Sequence, residues 1–275
     1  MNHLLFPVRM TAIITSKMEY VTENGAGYFR SEKLRELGVI HGFTTRKISG
    51  VDSPSFTSDS EKIADSVLFE FAARLGIEDY HFVFQEQIHS DNIVIIDEKN
   101  ISDGRFTRIP HNDGLITRLP GVCLFSLSAD CMSLLLAHPA SGVIANAHVG
   151  RRGAILGLPA KLIIRLSMEF SIPASEIIAL MGTTISGECY EVGLDVVDEL
   201  REKDPTGLGF LIIRDGRRFF DHRGYVYSQL TSYGISPENI DSQPLCSHCY
   251  PDLFYSYRRD RGILGKQAGF IAIPR

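Results

Sequence analysis

The stretch SADCMSLLLAHPASGVIANAHVGRRG, residues 128–153, holds two apolar runs separated by Pro-Ala-Ser-Gly. Two short apolar runs joined by such a turn are typical of a buried β-hairpin. Cys131 stands at the start of the first run and His148 at the end of the second, so the hairpin brings both to one end of a sheet. The pattern therefore predicts a pair of Cys and His side chains at the open end of a hairpin.

The register of this hairpin decides how closely the two side chains approach. A turn centred after Pro139 places Cys131 opposite His148, whereas a shift by one pair places His148 opposite Ser133 and diagonal to Cys131. Directly opposed Cβ atoms lie roughly 5 Å apart and diagonal ones roughly 7 to 8 Å. In either register, both side chains can reach one small ion.

The neighbours of this pair favour a functional site over the alternative, a buried Cys beside a His held by a backbone carbonyl. Asp130 precedes the Cys, and Asn146 lies on the same strand face as His148. The second run ends in Gly-Arg-Arg-Gly, residues 150–153, before a predicted helix. A glycine-flanked basic turn of this kind can present amide groups and a guanidinium to an anion.

His89, in QEQIHSDNIVII, is a third candidate because it stands at the end of a predicted strand. Two His and one thiolate form a three-ligand zinc site with an open fourth position, which is typical of catalytic rather than structural zinc. Water in that position is acidified and becomes a nucleophile.

The bulk composition is that of an ordinary globular protein, with 44% hydrophobic and 22% charged residues. The 275 residues suffice for one large or two modest domains, and because no linker is visible we predict one domain over residues 1–275. A net charge of -5 and a pI near 6.0 predict neither nucleic-acid nor anionic-membrane binding. The sequence leaves the oligomeric state open.

Short apolar runs predict strands over 81–84, 92–96, 123–128, 177–182 and 209–214. Helices are predicted over 152–170, 194–201 and 223–233, and Pro159 should kink or restart the first of them. Because strands come in neighbouring pairs before the longer helices, the fold class is predicted to be α+β.

The cysteines and the chain start indicate a cytoplasmic protein. Five unevenly spaced cysteines argue against a disulfide framework. The first residues, MNHLLFPVRMTAII, lack the pattern of a signal peptide, and no apolar run is long enough to span a bilayer.

Seven blocks in order resemble one family, once called the multicopper polyphenol oxidase or laccase domain and now associated with purine nucleoside phosphorylase and adenosine deaminase activity. The blocks are GFTTR (42–46), QIHS (87–90), DGLIT (113–117), SADCMSLLL (128–136), AHVGRRG (147–153), CYEVG (189–193) and FYSYRRDRG (254–262). They cover the chain from about residue 40 to its end.

The resemblance implies a zinc site formed by His89, Cys131 and His148. It also implies cleavage of adenosine, inosine, guanosine and methylthioadenosine by phosphate, with adenosine deamination as a second activity. The fold it implies is a single layered α+β domain of mixed β-sheets with packed helices, similar to a toxin deamidase domain with a Cys and His pair. A Cys hydrolase, with Cys131 as nucleophile and His148 as base, is therefore an alternative.

Two positions depart from the family pattern. Arg151 stands where the family usually has Trp, and the chain contains no Trp at all. Glu188 stands where a second Cys usually precedes the CYEVG block. The first change adds a charge beside the predicted site, while the three predicted ligands are intact.

Deamination needs a proton donor, and Asp91, two residues after His89, is the candidate, with a turn-capping Asp as the alternative. Phosphorolysis needs an anion site. The candidates for this anion site are Arg46, Arg152, Arg258 and Arg259. Gln87 and Asn146 are also predicted to bind the substrate.

Two other metal arrangements are possible from the Cys, His and Met residues of the sequence. A copper oxidase is the less favoured alternative, because a blue-copper site needs an axial ligand such as Met, and Met132 should point to the opposite strand face from its neighbour Cys131. Cys-Ser-His-Cys, residues 246–249, resembles half of a structural zinc site, but no second pair follows, which argues against structural zinc. The sequence contains no motif that favours or opposes a non-enzymatic function as the binding partner of another protein.

Overall fold

This computed structural model describes residues 18–48, 51–52, 61–261 and 265–275, with side chains left out at 47–48, 51–52 and 61–66. The N-terminal stretch discussed above and Gly262 of the last family block lie outside these ranges.

The strands of the described residues are short and numbered here in chain order. They are Met18–Glu23 (β1), Ala26–Ser31 (β2), Ile40–Ile48 (β3), Val51–Asp52 (β4), His81–Gln85 (β5), Ile93–Ile96 (β6), Phe106–Ile109 (β7), Gly114–Thr117 (β8), Val122–Ser128 (β9), Met132–His138 (β10), Val143–Val149 (β11), Ile178–Met181 (β12), Leu211–Arg214 (β13), Arg217–Phe220 (β14), Ile240–Ser242 (β15) and Gln267–Ala272 (β16).

The α-helices of the same residues are Glu32–Glu36 (α1), Glu61–Leu75 (α2), Arg151–Ile155 (α3), Leu158–Phe170 (α4), Leu194–Lys203 (α5), His222–Ser232 (α6) and Tyr257–Asp260 (α7).

Two mixed sheets carry the fold. The first has the order β1-β2-β3-β16-β9-β5-β7, with β4 paired to β3, and the second has the order β15-β12-β10-β11-β8-β6. Most neighbours are antiparallel, but β5 pairs in parallel with β7 and β9, β6 with β8, and β12 with β15. A separate hairpin, β13-β14, stands beside them.

The sheets pack face to face, and helices cover their outer faces. Leu124 of β9 and Leu135 of β10 share the core between the sheets. Phe71 of α2 packs on the outer face of the first sheet, and Leu162 of α4 and Tyr225 of α6 pack on that of the second. Because β9, β10 and β11 are buried on both faces, their sequences read as nearly continuous apolar runs.

The α+β class and its mixed sheets are as predicted, and strands occur in all five predicted runs. The predicted helix over 152–170 is two helices, because Gly157 takes a left-handed conformation (φ 83°) after α3. Pro159 then lies in the first turn of α4, where its missing N–H costs no helical hydrogen bond. The predicted restart of this helix is therefore confirmed.

In the part of the chain that the structure describes, no helix combines the length and apolar character needed to cross a membrane.

Candidate active site

His89, Cys131 and His148 meet at one end of the space between the sheets. One donor atom from each lies within 4.8 Å of the other two. The Sγ atom of Cys131 is 3.7 Å from Nε2 of His89, and the two imidazole rings stand nearly perpendicular, at 83°. The structure thus brings together the three ligands predicted from the sequence.

The hairpin adopts the second of the two predicted registers. Ser133 pairs with His148 and Met132 with Val149, so Cys131, just before β10, lies diagonal to His148. The turn decides this register: residues 139–141 form a 3-10 turn, and Gly142 closes it with φ 64°.

Asp113 is a residue that the sequence analysis did not assign, and it organises this site. Its Oδ1 atom accepts a hydrogen bond from Nδ1 of His148 at 2.8 Å. The same carboxylate accepts the backbone amides of Ile88, His89 and Ser90, at 3.2, 3.1 and 2.6 Å. It therefore fixes the His148 tautomer, leaving Nε2 for the site, and shapes the loop that carries His89.

Asp113 is fully buried, and burial raises the pKa of its carboxyl. Hydrogen bonds from His148 and Ser90 outweigh this effect, and its pKa lies below the ordinary value. The carboxylate is thus charged at neutral pH. The signal in the sequence was an Asp-Gly pair before a short apolar strand, which is equally typical of an ordinary turn.

Gly150 permits the close approach of the three donors. A Cβ atom there would lie 2.6 Å from Cδ2 of His89 and 3.2 Å from Sγ of Cys131. His89 itself has φ 60°, a conformation held by the amide bonds to Asp113.

Cys131 and His148 alter each other's protonation. Burial raises the pKa of Cys131, but the charge of His148 and hydrogen bonds from both imidazoles lower it to about 6. Burial lowers the pKa of His148, but the Cys131 charge and the Asp113 carboxylate raise it to about 9. Cys131 is therefore available as a thiolate, the form that binds metals or attacks carbon.

The three donors open into a cavity of about 590 Å³. Cationic side chains in its lining are Arg151, Arg258 and Lys266, and aromatic ones are Tyr190 and Tyr257. A cavity of this size accommodates a small organic molecule. The rest of the lining is Gln87, Leu127, Ser128, Ala129, Asp130, Ile185 and His222.

Arg151, which replaces the usual Trp, lies in this lining. Its guanidinium pairs with Glu199. Burial raises the pKa of the Tyr190 hydroxyl above its ordinary value, although the charge of Arg151 lowers it. The replacement thus exchanges an aromatic surface for a cation that is partly neutralised by a carboxylate.

Two of the predicted substrate residues line the cavity. Gln87 holds the edge of β9, because its amide accepts from Leu127 N and donates to Leu127 O, both at 2.7 Å. The Arg258 guanidinium lies 5.4 Å from the ring centroid of Tyr190 and donates to Glu191 O at 3.0 Å.

Asp91 and Asn146 are not among the lining residues. Asp91 pairs with Lys161 on the surface. Asn146 is fully buried between the sheets, where its Nδ2 atom donates to the carbonyls of Leu124 and Gly269 at 2.9 and 2.8 Å.

The three other predicted arginines also lie outside the lining. Arg46 donates to a backbone carbonyl and stacks on Tyr255, with 4.9 Å to the ring centroid. Arg152 is exposed on α3. Arg259 pairs with Asp260 and donates to backbone carbonyls of the neighbouring loop. A role in substrate binding stays a prediction for each.

Fold and site together define an α+β protein with a Cys and two His at an open cavity, the donor set of a metal-dependent enzyme. Residues 40–274 match the model of the family described as multi-copper polyphenol oxidoreductase laccase. The chain belongs to this family.

Curated relatives carry the names of enzymes. A purine nucleoside phosphorylase of Corynebacterium glutamicum is 35% identical over 226 residues, which are 82% of this chain and 85% of that protein. An adenosine deaminase from an unknown prokaryotic organism is 29% identical over 217 residues, covering 77% of this chain and 82% of the relative.

A solved structure shares the fold. The crystal structure of YlmD from Geobacillus stearothermophilus superimposes with a TM-score of 0.84 at 25% identity, covering 94% of this chain and 100% of that chain.

Proposed function

We propose that this chain is a zinc-dependent purine nucleoside enzyme. It cleaves adenosine, inosine, guanosine and methylthioadenosine with phosphate, and it deaminates adenosine as a second activity. The observation that carries the proposal is the group of His89, Cys131 and His148 opening into the cavity. The phosphorylase and deaminase relatives support the substrate class.

The donor set fits zinc. One thiolate and two imidazoles are borderline-soft ligands, and three protein donors leave a fourth position free. The carboxylate of Asp113 on His148 is the outer partner that metal-ligating His residues commonly have. When bound, zinc supplies Lewis acidity beside the substrate.

Copper fits less well. Met132, the neighbouring thioether, is fully buried in the core between the second sheet and its helices. Since it faces away from the space between the sheets, it is not the axial ligand that a blue-copper site requires.

The cavity wall supplies groups for both halves of the substrates. Tyr257 offers a ring face on which a purine can stack, whereas one face of the Tyr190 ring is covered by the Arg258 guanidinium. Arg258, with Arg151 and Lys266, provides positive charge for phosphate. We therefore assign phosphate binding to Arg258 first, because Arg151 already pairs with Glu199.

The test is a product assay with protein purified without chelator. Adenosine is incubated in phosphate buffer and, separately, in a phosphate-free buffer, and the products are separated by chromatography. We expect adenine, hypoxanthine and ribose 1-phosphate only with phosphate, because inosine formed by deamination is itself cleaved there, and we expect inosine to accumulate in the phosphate-free buffer. The variant His89→Gln should lose both reactions together with the zinc bound by His89, Cys131 and His148.

The matched control is His111→Gln, because His111 is an exposed imidazole outside the cavity lining. It should retain metal and both reactions. Equal turnover by the two variants, or a wild type that leaves every nucleoside intact, would refute the proposal.

A second candidate, the Cys hydrolase, has one observation in its favour. The site contains a nucleophile, a base and a carboxylate that orients the base: Cys131, His148 and Asp113 respectively. Metal content separates the two functions, since a thiolate bound to zinc is not free to attack. Purified protein whose metal content is unchanged in Cys131→Ala, and whose Cys131 is rapidly alkylated by iodoacetamide, would favour the hydrolase.

We further propose that residues 1–275 form one domain and that the enzyme works in the cytoplasm. The five cysteines are all free thiols, which is typical of a reducing compartment.

A further inference from the structure

A second group of metal-ligating side chains lies beside the cavity. Donor atoms of Cys189, His248 and Cys249 all lie within 4.8 Å of one another. The two Sγ atoms are 3.2 Å apart. The group is distinct from the first, with which it shares no residue.

Cys246 begins the turn that carries His248 and Cys249 and is the candidate fourth donor, although its sulfur is not among the three donor atoms that lie within 4.8 Å of one another. Its Sγ atom accepts the backbone amide of Ser186 at 3.2 Å. A Cys-x-x-Cys turn whose first sulfur accepts backbone amides is prepared to hold a thiolate.

The group joins two segments that contain little regular structure. One is 182–193, between β12 and α5, and the other is 243–256, between β15 and α7. The hydroxyl of Ser247 donates to Oδ1 of Asp130 at 2.6 Å, so the second segment also contacts the residue before Cys131. Arg259 donates to the carbonyl of Ser247 at 2.9 Å and holds the same turn.

We propose that Cys189, Cys246, His248 and Cys249 bind a second zinc ion with a structural role. Three thiolates and one imidazole form a Cys3His set, which zinc occupies with all four positions taken by protein. Soft thiolate ligands exclude magnesium and calcium as the occupant. Sequence spacing did not reveal this set, because the missing ligand comes from far upstream rather than from a second pair downstream.

A metal here would position part of the cavity wall. Tyr190 directly follows Cys189, and the Arg258 guanidinium lies over its ring. Linking Cys189 to the turn at Cys246 therefore fixes the segment that carries this aromatic side chain.

Zinc content of the full-length protein tests the proposal. Protein is purified under reducing conditions without chelator and measured by inductively coupled plasma mass spectrometry. We expect two zinc ions per chain for wild type, one for Cys131→Ala and one for Cys249→Ser. The double variant should contain none.

Cobalt spectra show where each ion binds without depending on the Cys249 variant. Cys131→Ala loaded with Co²⁺ should keep intense thiolate-to-cobalt absorption, because three sulfur ligands remain. The matched control, Cys123→Ala, removes a buried thiol of the first sheet that belongs to neither group. It should retain both ions.

One zinc per wild-type chain, lost in Cys131→Ala, would overturn the proposal whatever the Cys249 variant does. So would a wild-type mass lower by two hydrogens with a Cys189 to Cys249 cross-link in protein purified with reductant, because those sulfurs could then not hold an ion. Two ions that both persist in Cys249→Ser would equally contradict it.

Discussion

Asp113 shows how one buried carboxylate determines the geometry of two other side chains. It orients the imidazole of His148 and, through three backbone amides, the loop of His89. The three donors could be predicted from the sequence, because Cys and His are recognisable by chemistry and spacing. The role of Asp113 could not be predicted, because that residue acts through amides that only the folded loop presents.

We predict that Asp113→Asn lowers zinc affinity by roughly 10- to 100-fold. An amide cannot accept from His148 and from the loop amides with both of its polar atoms, so the imidazole loses its fixed tautomer. Affinity is measured by competition with a chromophoric chelator. Asp241→Asn is the control, because this carboxylate is also buried but accepts from Ser31 rather than from His148. Equal losses in both variants would assign the effect to folding.

Gly150→Ala tests how closely the donors are packed. The added methyl group would overlap His89, so we predict a roughly 100-fold loss of nucleoside turnover from displaced donors. The readout is the product assay together with zinc content. Gly209→Ala serves as the control, since a Cβ there meets nothing within 4 Å. Wild-type turnover in Gly150→Ala would mean that the His89 ring can shift without consequence.

Among the secondary-structure elements, the hairpin of β10 and β11 could be predicted from the sequence, but its register could not. Both registers of β10 and β11 satisfied the apolar pattern, because they differ by a whole pair and keep the same faces buried. The left-handed Gly142 at the end of the turn selects one of them. Since Gly also occurs in many other turn types, its presence alone did not decide the register.

The junction of β2 and β3 contains a buried histidine that should make the protein sensitive to acid. Nε2 of His41 accepts the amide of Ser31, and its Nδ1 donates to Val39 O, both at 2.9 Å. Burial lowers the pKa of His41 to about 4 from 6.5. Between these values the unfolded chain binds more protons than the folded one, so stability falls as pH falls.

We predict that the lowered pKa of His41 alone reduces the free energy of unfolding by roughly 2 kcal/mol as the pH falls from 7 to 5. His41→Gln should flatten this part of the curve, although His222, whose pKa is also lowered by burial, leaves some slope. Urea denaturation at several pH values measures the effect. The exposed His111→Gln should leave the curve unchanged, and a curve for His41→Gln as steep as that of wild type would show that protonation there is tolerated.

At the scale of the whole molecule, the α+β class could be predicted but the sheet order could not. The C-terminal strand β16 lies between β3 and β9, strands from distant parts of the chain. Such pairings depend on packing of side chains from both sheets, which alternation within one strand does not encode. The second Cys and His group was missed for the same reason, because Cys189 joins a distant turn only after both segments have folded.

Asn146 connects the two sheets by hydrogen bonds. Substituting it therefore tests whether this residue stabilises the fold or binds the substrate, as the sequence pattern predicts. It donates from β11 to carbonyls of β9 and β16 across the interface between the sheets. We predict that Asn146→Ala lowers the unfolding free energy by roughly 2 to 4 kcal/mol, because two buried carbonyls lose their shared donor. Denaturation midpoints measure this loss, and the KM for adenosine should stay near the wild-type value in the folded fraction.

Asn239, which is only half-buried and also accepts from Lys33, provides the comparison for this variant. It also donates to a carbonyl, Ser175 O, at 2.8 Å, but water can replace that bond, so Asn239→Ala should cost less than about 1 kcal/mol. If Asn146→Ala were as stable as Asn239→Ala and instead raised KM, Asn146 would belong to the substrate site, as the sequence pattern predicts. The two hydrogen bonds of Asn146 would then serve the cavity rather than the contact between the sheets.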